Sequence, residues 1–115
     1  MISRNWRGIA RQEEADNYVR HLQLHTFPAL SRIPGFVSAE IMRRATSRGV
    51  EFLIVTTWQS IEAIRRFAGE SIGVAVVPPE VQAMMVEFDF EVTHYEIVDM
   101  HRPAQCDSQA CTDAS

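Results

Sequence analysis

Four side chains able to take part in chemistry lie on segments that read as strands. Trp58 ends the run Glu51-Phe-Leu-Ile-Val-Thr-Thr-Trp58 and is followed by Gln59 and Ser60. His94 continues the alternating series Phe88, Phe90, Val92. Trp6 alternates with Arg4 in the first segment of the chain. An imidazole at an otherwise apolar strand position is either hydrogen-bonded within a core or exposed in a cavity. In a cavity a neutral ring can take a proton from a phenolic substrate. The indoles are either flat pocket walls or core residues contributing burial. Arg4 can hold an anionic group of a substrate, or pair with Glu40 or Glu96. His94 is thus the expected catalytic residue, with Trp6, Trp58, Arg4 and His25 expected to bind substrate.

Two further pairs have metal-ligand types. His21 and His25 are one helical turn apart, but two ligands are not a site and no carboxylate completes a triad. They read as a solvated helix edge, with His25 near the mouth of any pocket. Cys106 and Cys111 have no second pair to close a tetrahedral site. They read as free thiols in a reducing compartment. No metal is expected.

The elements that must position these groups follow in a definite order. Residues 2–9 alternate as a strand, and 12–31 carry the helical stripe Ala15, Tyr18, Val19, Leu22, Thr26. Phe27-Pro28 should kink or end that helix, because proline removes a backbone donor. Strands at 36–45 and 50–58 flank the turn Thr46-Ser-Arg-Gly49. Ser60 is a fitting N-cap for a helix over 60–69, and Gly69 a fitting stop. A short helix at 80–85 and a strand at about 86–99 close the series. The order is βαββαβ, the ferredoxin-like α+β plan. Strand alternation puts Phe52, Ile54 and Trp58 on one face and Leu53 and Val55 on the other. If the first face meets the helices, Trp6, Trp58 and His94 line one cavity. The second face then needs another cover, and a second copy of the same sheet is the simplest.

Thr57-Trp58-Gln59-Ser60, Ile64-Arg-Arg-Phe67-Ala-Gly69 and Phe88-Asp-Phe-Glu-Val-Thr-His94-Tyr95-Glu96-Ile97 resemble the antibiotic biosynthesis monooxygenase family. The resemblance spans about residues 1–99. It implies a dimeric α/β barrel, a homodimer with a small-molecule ligand. The quinone-forming members use no metal, flavin or haem, and a phenolic substrate activates oxygen itself. Of the pocket positions the resemblance maps for them, Trp58 is kept, but Ile54 stands where an Asn is expected and Ile64 where a Tyr is expected. The haem-degrading members use an Asn, a Trp and an iron-ligating His. The matching positions here are Trp6, Phe67 and about Val77. No cofactor is therefore expected, although His25 or His94 could offer an alternative haem ligand. Two functions remain open: a cofactor-independent oxygenase acting on a small aromatic or polyketide-like molecule, and a binding or stress-associated module without turnover.

Composition narrows the classes further. The 115 residues carry a net charge of −4, which lacks the basic footprint of a nucleic-acid binder. All eleven basic residues are arginines. No stretch is apolar enough for a membrane span or a secretory leader, so a cytoplasmic location is the default. One domain is expected over residues 1–101, and the small polar residues 102–115 read as a flexible tail.

Overall fold

The computed structural model describes residues 1–103, so most of the expected tail, Cys106 and Cys111 included, lies outside the described residues. Strand β1 (Ile2–Ala10) is the centre of an antiparallel sheet. β3 (Gly49–Trp58) pairs with it along its whole length, from Ile2 opposite Trp58 to Ala10 opposite Val50. β2 (Phe36–Thr46) pairs with the far side of β3. The β-branched and aromatic content of β3 suits a strand paired on both edges. The β2–β3 turn requires glycine: Gly49 has φ of 142°, and a Cβ there would come within 2.2 Å of the Ala10 carbonyl oxygen. β4 (Met85–Phe88) and β5 (Thr93–Glu96) both pair with the remaining edge of β1. The α+β, ferredoxin-like class is the one the sequence predicts.

The first helical segment runs as α1 (Ala15–His21), a π-helical turn (Leu22–Thr26) and α2 (Phe27–Leu30). Pro28 therefore does not end the helix. It has no N–H to donate to the carbonyl one turn back, and the chain accommodates that by widening one turn and continuing to Leu30. α3 (Ile61–Ala68) starts as predicted, with Ala63 N–H donating to Ser60 Oγ at 3.2 Å, and stops at Gly69, whose φ is 81°. α4 (Pro79–Gln82) is a single turn with proline in its first turn. Against these helices pack Ala10, Phe52 and Ile54 in one cluster and Trp58 with Ala63 and Ile64 in another. The predicted phase of β3 is the observed one.

The last strand departs from expectation. β1 places only Trp6 and Arg7 between its partners Asn5 and Gly8, whereas the returning chain places Asp89 to Val92 between Thr93 and Phe88. The surplus bulges out because it has other partners. Asp89 N–H still donates to Arg7 O, but Phe90 O accepts from Ala75 N–H and Val92 N–H donates to Gly73 O. Residues 70–78 are thus stitched to the bulge as a strap. Phe90 is 75% exposed, so the series Phe88, Phe90, Val92, His94 does not form one apolar face. Two surplus residues leave the side-chain phase intact on either side, and His94 still stands opposite Arg4.

The sheet face away from the helices is uncovered. Met42 and Leu53 are cross-strand neighbours there and exposed, and Tyr95 stands opposite Ser3 on the same face. Two acids of the last strand, Glu87 and Asp89, are paired with arginines. Arg7 approaches Glu51, Glu87 and Asp89 at 3.4, 3.6 and 3.9 Å, Arg44 reaches Glu51 at 3.1 Å, and Arg48 pairs with Glu87. The hydrogen bond from Arg44 holds the Glu51 carboxyl below its ordinary range.

Candidate functional site

A cavity opens between the helix-facing side of the sheet and the run from α1 to α2. It has two adjoining lobes, of about 250 Å³ and about 80 Å³, which share Trp6, Tyr18, Leu22, Thr26, Leu30, Phe67 and Val76 as walls. Arg4, Ile54 and Thr56 complete the sheet side of the smaller lobe, and Val77, Pro78 and Val81 close the larger. The walls are mostly apolar with a few polar groups, the usual make-up of a small-molecule site.

Each wall follows from local structure. β1 alternation points Arg4 and Trp6 to the same side. The Trp6 indole lies over Gly8, where a Cβ would come within 2.6 Å of Cη2, and its Nε1–H donates to Asp89 O at 2.9 Å. Tyr18 comes from the apolar stripe of α1. Its ring packs edge-on to Phe52 at 4.9 Å and tilted to Trp6 at 6.2 Å. Tyr18 is only 3% exposed, yet no buried polar side-chain atom among the described residues is left without a partner, so its hydroxyl, which bonds no protein group there, is reached from the open space it lines. Burial pushes the phenol's pKa up, so it remains a proton donor at neutral pH. The π-helical turn supplies Leu22 and Thr26 to the same wall.

Arg4 is 4% exposed and pairs with neither Glu40 nor Glu96; among the described residues it has no carboxylate partner. Its Nη1 donates to Ile72 O and to His94 Nε2, the latter at 3.1 Å, and its Nη2 to Val74 O at 3.0 Å. The guanidinium carbon lies 5.6 Å from the Phe67 ring centroid. Burial lowers the pKa to about 10, which leaves the group charged at neutral pH.

The expected site is only partly assembled. Trp6 and Arg4 line the cavity. Trp58 does not: it is wholly buried beneath α3, stacked on Phe67 at 5.9 Å, with Nε1–H donating to Thr56 Oγ1 at 2.9 Å. Its phase is as expected, but α3 covers it. His94 is not a lining residue either; Arg4, to which it is bonded, lines the smaller lobe instead. An arginine has only donors to offer, so Nε2 of His94 accepts and the proton sits on Nδ1. Burial first, and then the Arg4 charge, lower the His94 pKa and keep the ring neutral. The nitrogen a general base would use is occupied. His25 is exposed, lies 5.4 Å from His21 between ring centroids, and lines neither lobe. Tyr18, by contrast, was read only as part of a core stripe. Its sequence signal is a hydroxyl placed among Ala15, Val19 and Leu22.

No histidine among the described residues lines either lobe, so neither offers an imidazole to a haem iron. No group of three or more His, Cys, Asp or Glu side chains among the described residues could hold a metal ion. Among the described residues no helix is long and apolar enough to cross a membrane.

No protein-family model matches the sequence, and no curated protein is recognisably similar to it. The solved structures give the fold. MhuD, a haem degrader of Mycobacterium tuberculosis solved with two manganese protoporphyrins per active site, superposes with a TM-score of 0.64 at 15% identity over 90% of this chain and 100% of that one. A Bacillus cereus protein described as an antibiotic biosynthesis monooxygenase gives 0.61 at 13% identity, over 91% and 98%. SnoaB, a cofactor-independent oxygenase of Streptomyces nogalater, gives 0.59 at 14% identity, over 86% and 94%. The ferredoxin-like α+β fold of this chain is the one these antibiotic biosynthesis monooxygenase-type structures share.

Proposed function

We propose that this chain is a homodimeric small-molecule-binding protein whose ligand is a small aromatic or polyketide-like molecule held under the α1–α2 helices. The observation that carries the reading is the apolar cavity into which Tyr18 presents an unpartnered hydroxyl. Trp6, Tyr18 and Phe67 offer flat faces to a planar ring. Dimerisation is supported by the uncovered strip of Met42, Leu53 and Tyr95, and by the ion pairs that neutralise the acids beside it. The test is titration of the protein with bicyclic aromatic compounds, followed by Trp6 fluorescence and thermal shift. Saturable binding that Leu22→Trp abolishes is expected; absence of binding across such a panel rejects the reading.

A second reading, turnover with O₂, is favoured by Arg4. A buried cation beside an apolar cavity stabilises a phenolate, the electron-rich form a cofactor-independent oxygenase needs. The substrate would ionise against Arg4 rather than through His94. One atom of O₂ would enter the ring and the other would leave as water, with the substrate's own O–H and C–H as the reductant. Oxygen uptake with phenolic members of the same panel, lost in Arg4→Met, separates this reading from binding alone.

A further inference from the structure

Arg4 has more hydrogen-bonding capacity than the fold consumes. A guanidinium carries five N–H groups. Ile72 O and His94 Nε2 take both on Nη1, and Val74 O takes one on Nη2. No acceptor among the described residues takes the Nε–H or the second Nη2–H. All three acceptors present are neutral, since the His94 ring is uncharged. Burying a charge without an opposite charge is costly, and proteins ordinarily avoid it by pairing. Here the place where a carboxylate would stand is open, because Arg4 lines the smaller lobe of the cavity.

Tyr18 adds an independent observation from the opposite wall. It reaches the same lobe from α1, nine-tenths buried and more, with its hydroxyl unpartnered and protonated. Donors that the fold leaves free for a ligand, one charged and one neutral, thus stand in the walls of one space shared with Trp6, Leu22, Ile54 and Phe67. In the described part of this lobe no carboxylate competes for them.

We infer that the cavity selects an anion: a small, flat aromatic monocarboxylate whose carboxylate accepts from Arg4 and Tyr18 while its ring lies against Trp6 and Phe67. The inference rests on the small-molecule reading above and adds the ligand's charge. A planar carboxylate matches the fork of an arginine, and such charge-assisted bonds are about twice as strong as neutral ones. The other three bonds of Arg4 fix its position, so the guanidinium is organised before the ligand arrives.

The test compares 2-naphthoate with its neutral counterpart 2-naphthylmethanol, by calorimetry and by Trp6 fluorescence at pH 7.5, with the full chain. The wild-type protein should bind the carboxylate about tenfold tighter or better, the scale of one or two hydrogen bonds to a charged group. Arg4→Met should erase the preference while alcohol binding persists, and Tyr18→Phe should weaken naphthoate several-fold with little effect on the alcohol. Should Arg4→Met fail to fold, Tyr18→Phe decides: unchanged naphthoate affinity in it overturns the inference. Equal affinity of the wild type for both compounds also overturns it, but leaves the small-molecule reading standing. Binding of neither compound rejects that reading, and the anion with it.

Discussion

Arg4 and His94 stand directly opposite each other in the sheet, and Arg4 Nη1 donates to His94 Nε2 at 3.1 Å. The bond reverses the roles alternation suggests. The histidine, expected to face a substrate, instead supports the arginine, and the arginine faces the cavity.

Stability should therefore fall in mild acid. Burial and the Arg4 charge hold the folded-state pKa of His94 below its ordinary value of 6.5, so the unfolded chain binds the proton more readily. The contribution is fully present above about pH 6.5 and is lost as pH falls through the folded value. Glu51, also lowered, loses its contribution only further down, below the ordinary carboxylate range. Melting temperatures between pH 7.5 and 5.5 should decline in the wild type and flatten in His94→Gln. An identical slope in both would show that the Arg4 bond does not depend on a neutral ring.

Trp58 should matter for stability and not for the ligand. It is wholly buried between the sheet and α3. Trp58→Ala should cost about 3–5 kcal/mol in urea unfolding, the usual range for emptying a large aromatic site. The milder Trp58→Phe should leave ligand affinity within about twofold, since the ring removed lies outside the cavity. A large loss of affinity in a well-folded Trp58→Phe would return Trp58 to the site.

Gly8 should tune the cavity through Trp6. A Cβ added there meets the indole at 2.6 Å, and the indole is also held by its bond to Asp89 O. Gly8→Ala should displace the ring, at about 1–3 kcal/mol of overpacking. It should also shift Trp6 emission and weaken ligand binding more than it lowers the melting temperature. Unchanged emission would mean that the indole does not rest on Gly8.

The chain should be dimeric at micromolar concentration, and Leu53→Arg should favour the monomer. Leu53 sits between Met42 and Arg7 on the uncovered face, so the substitution places a second cation beside Arg7. Light scattering decides. A wild-type monomer at that concentration would contradict sheet-to-sheet pairing.

Periodicity alone determined the plan: the phase of Phe52, Ile54 and Trp58, the stripe from Ala15 to Thr26, the Ser60 cap and the βαββαβ order are all local patterns. A strand or helix declares its faces through neighbours two to four residues away, and no distant contact is needed to read them. The site was decided otherwise. The bulge at Asp89–Val92 exists because Gly73 and Ala75 compete with β1 for its backbone groups, a contact between segments far apart in sequence. Pro28 could be seen to disturb the helix, but whether the chain would break or widen into a π turn depended on packing around Phe27 and Leu22. Which of the residues facing the helices reach open space was set by where α3 and the strap at 70–78 settle. α3 closes over Trp58, and the strap offers its carbonyls to Arg4. The helices leave Tyr18 and Arg4 as the donors without partners, and that is a property of the assembled fold rather than of any stretch of sequence.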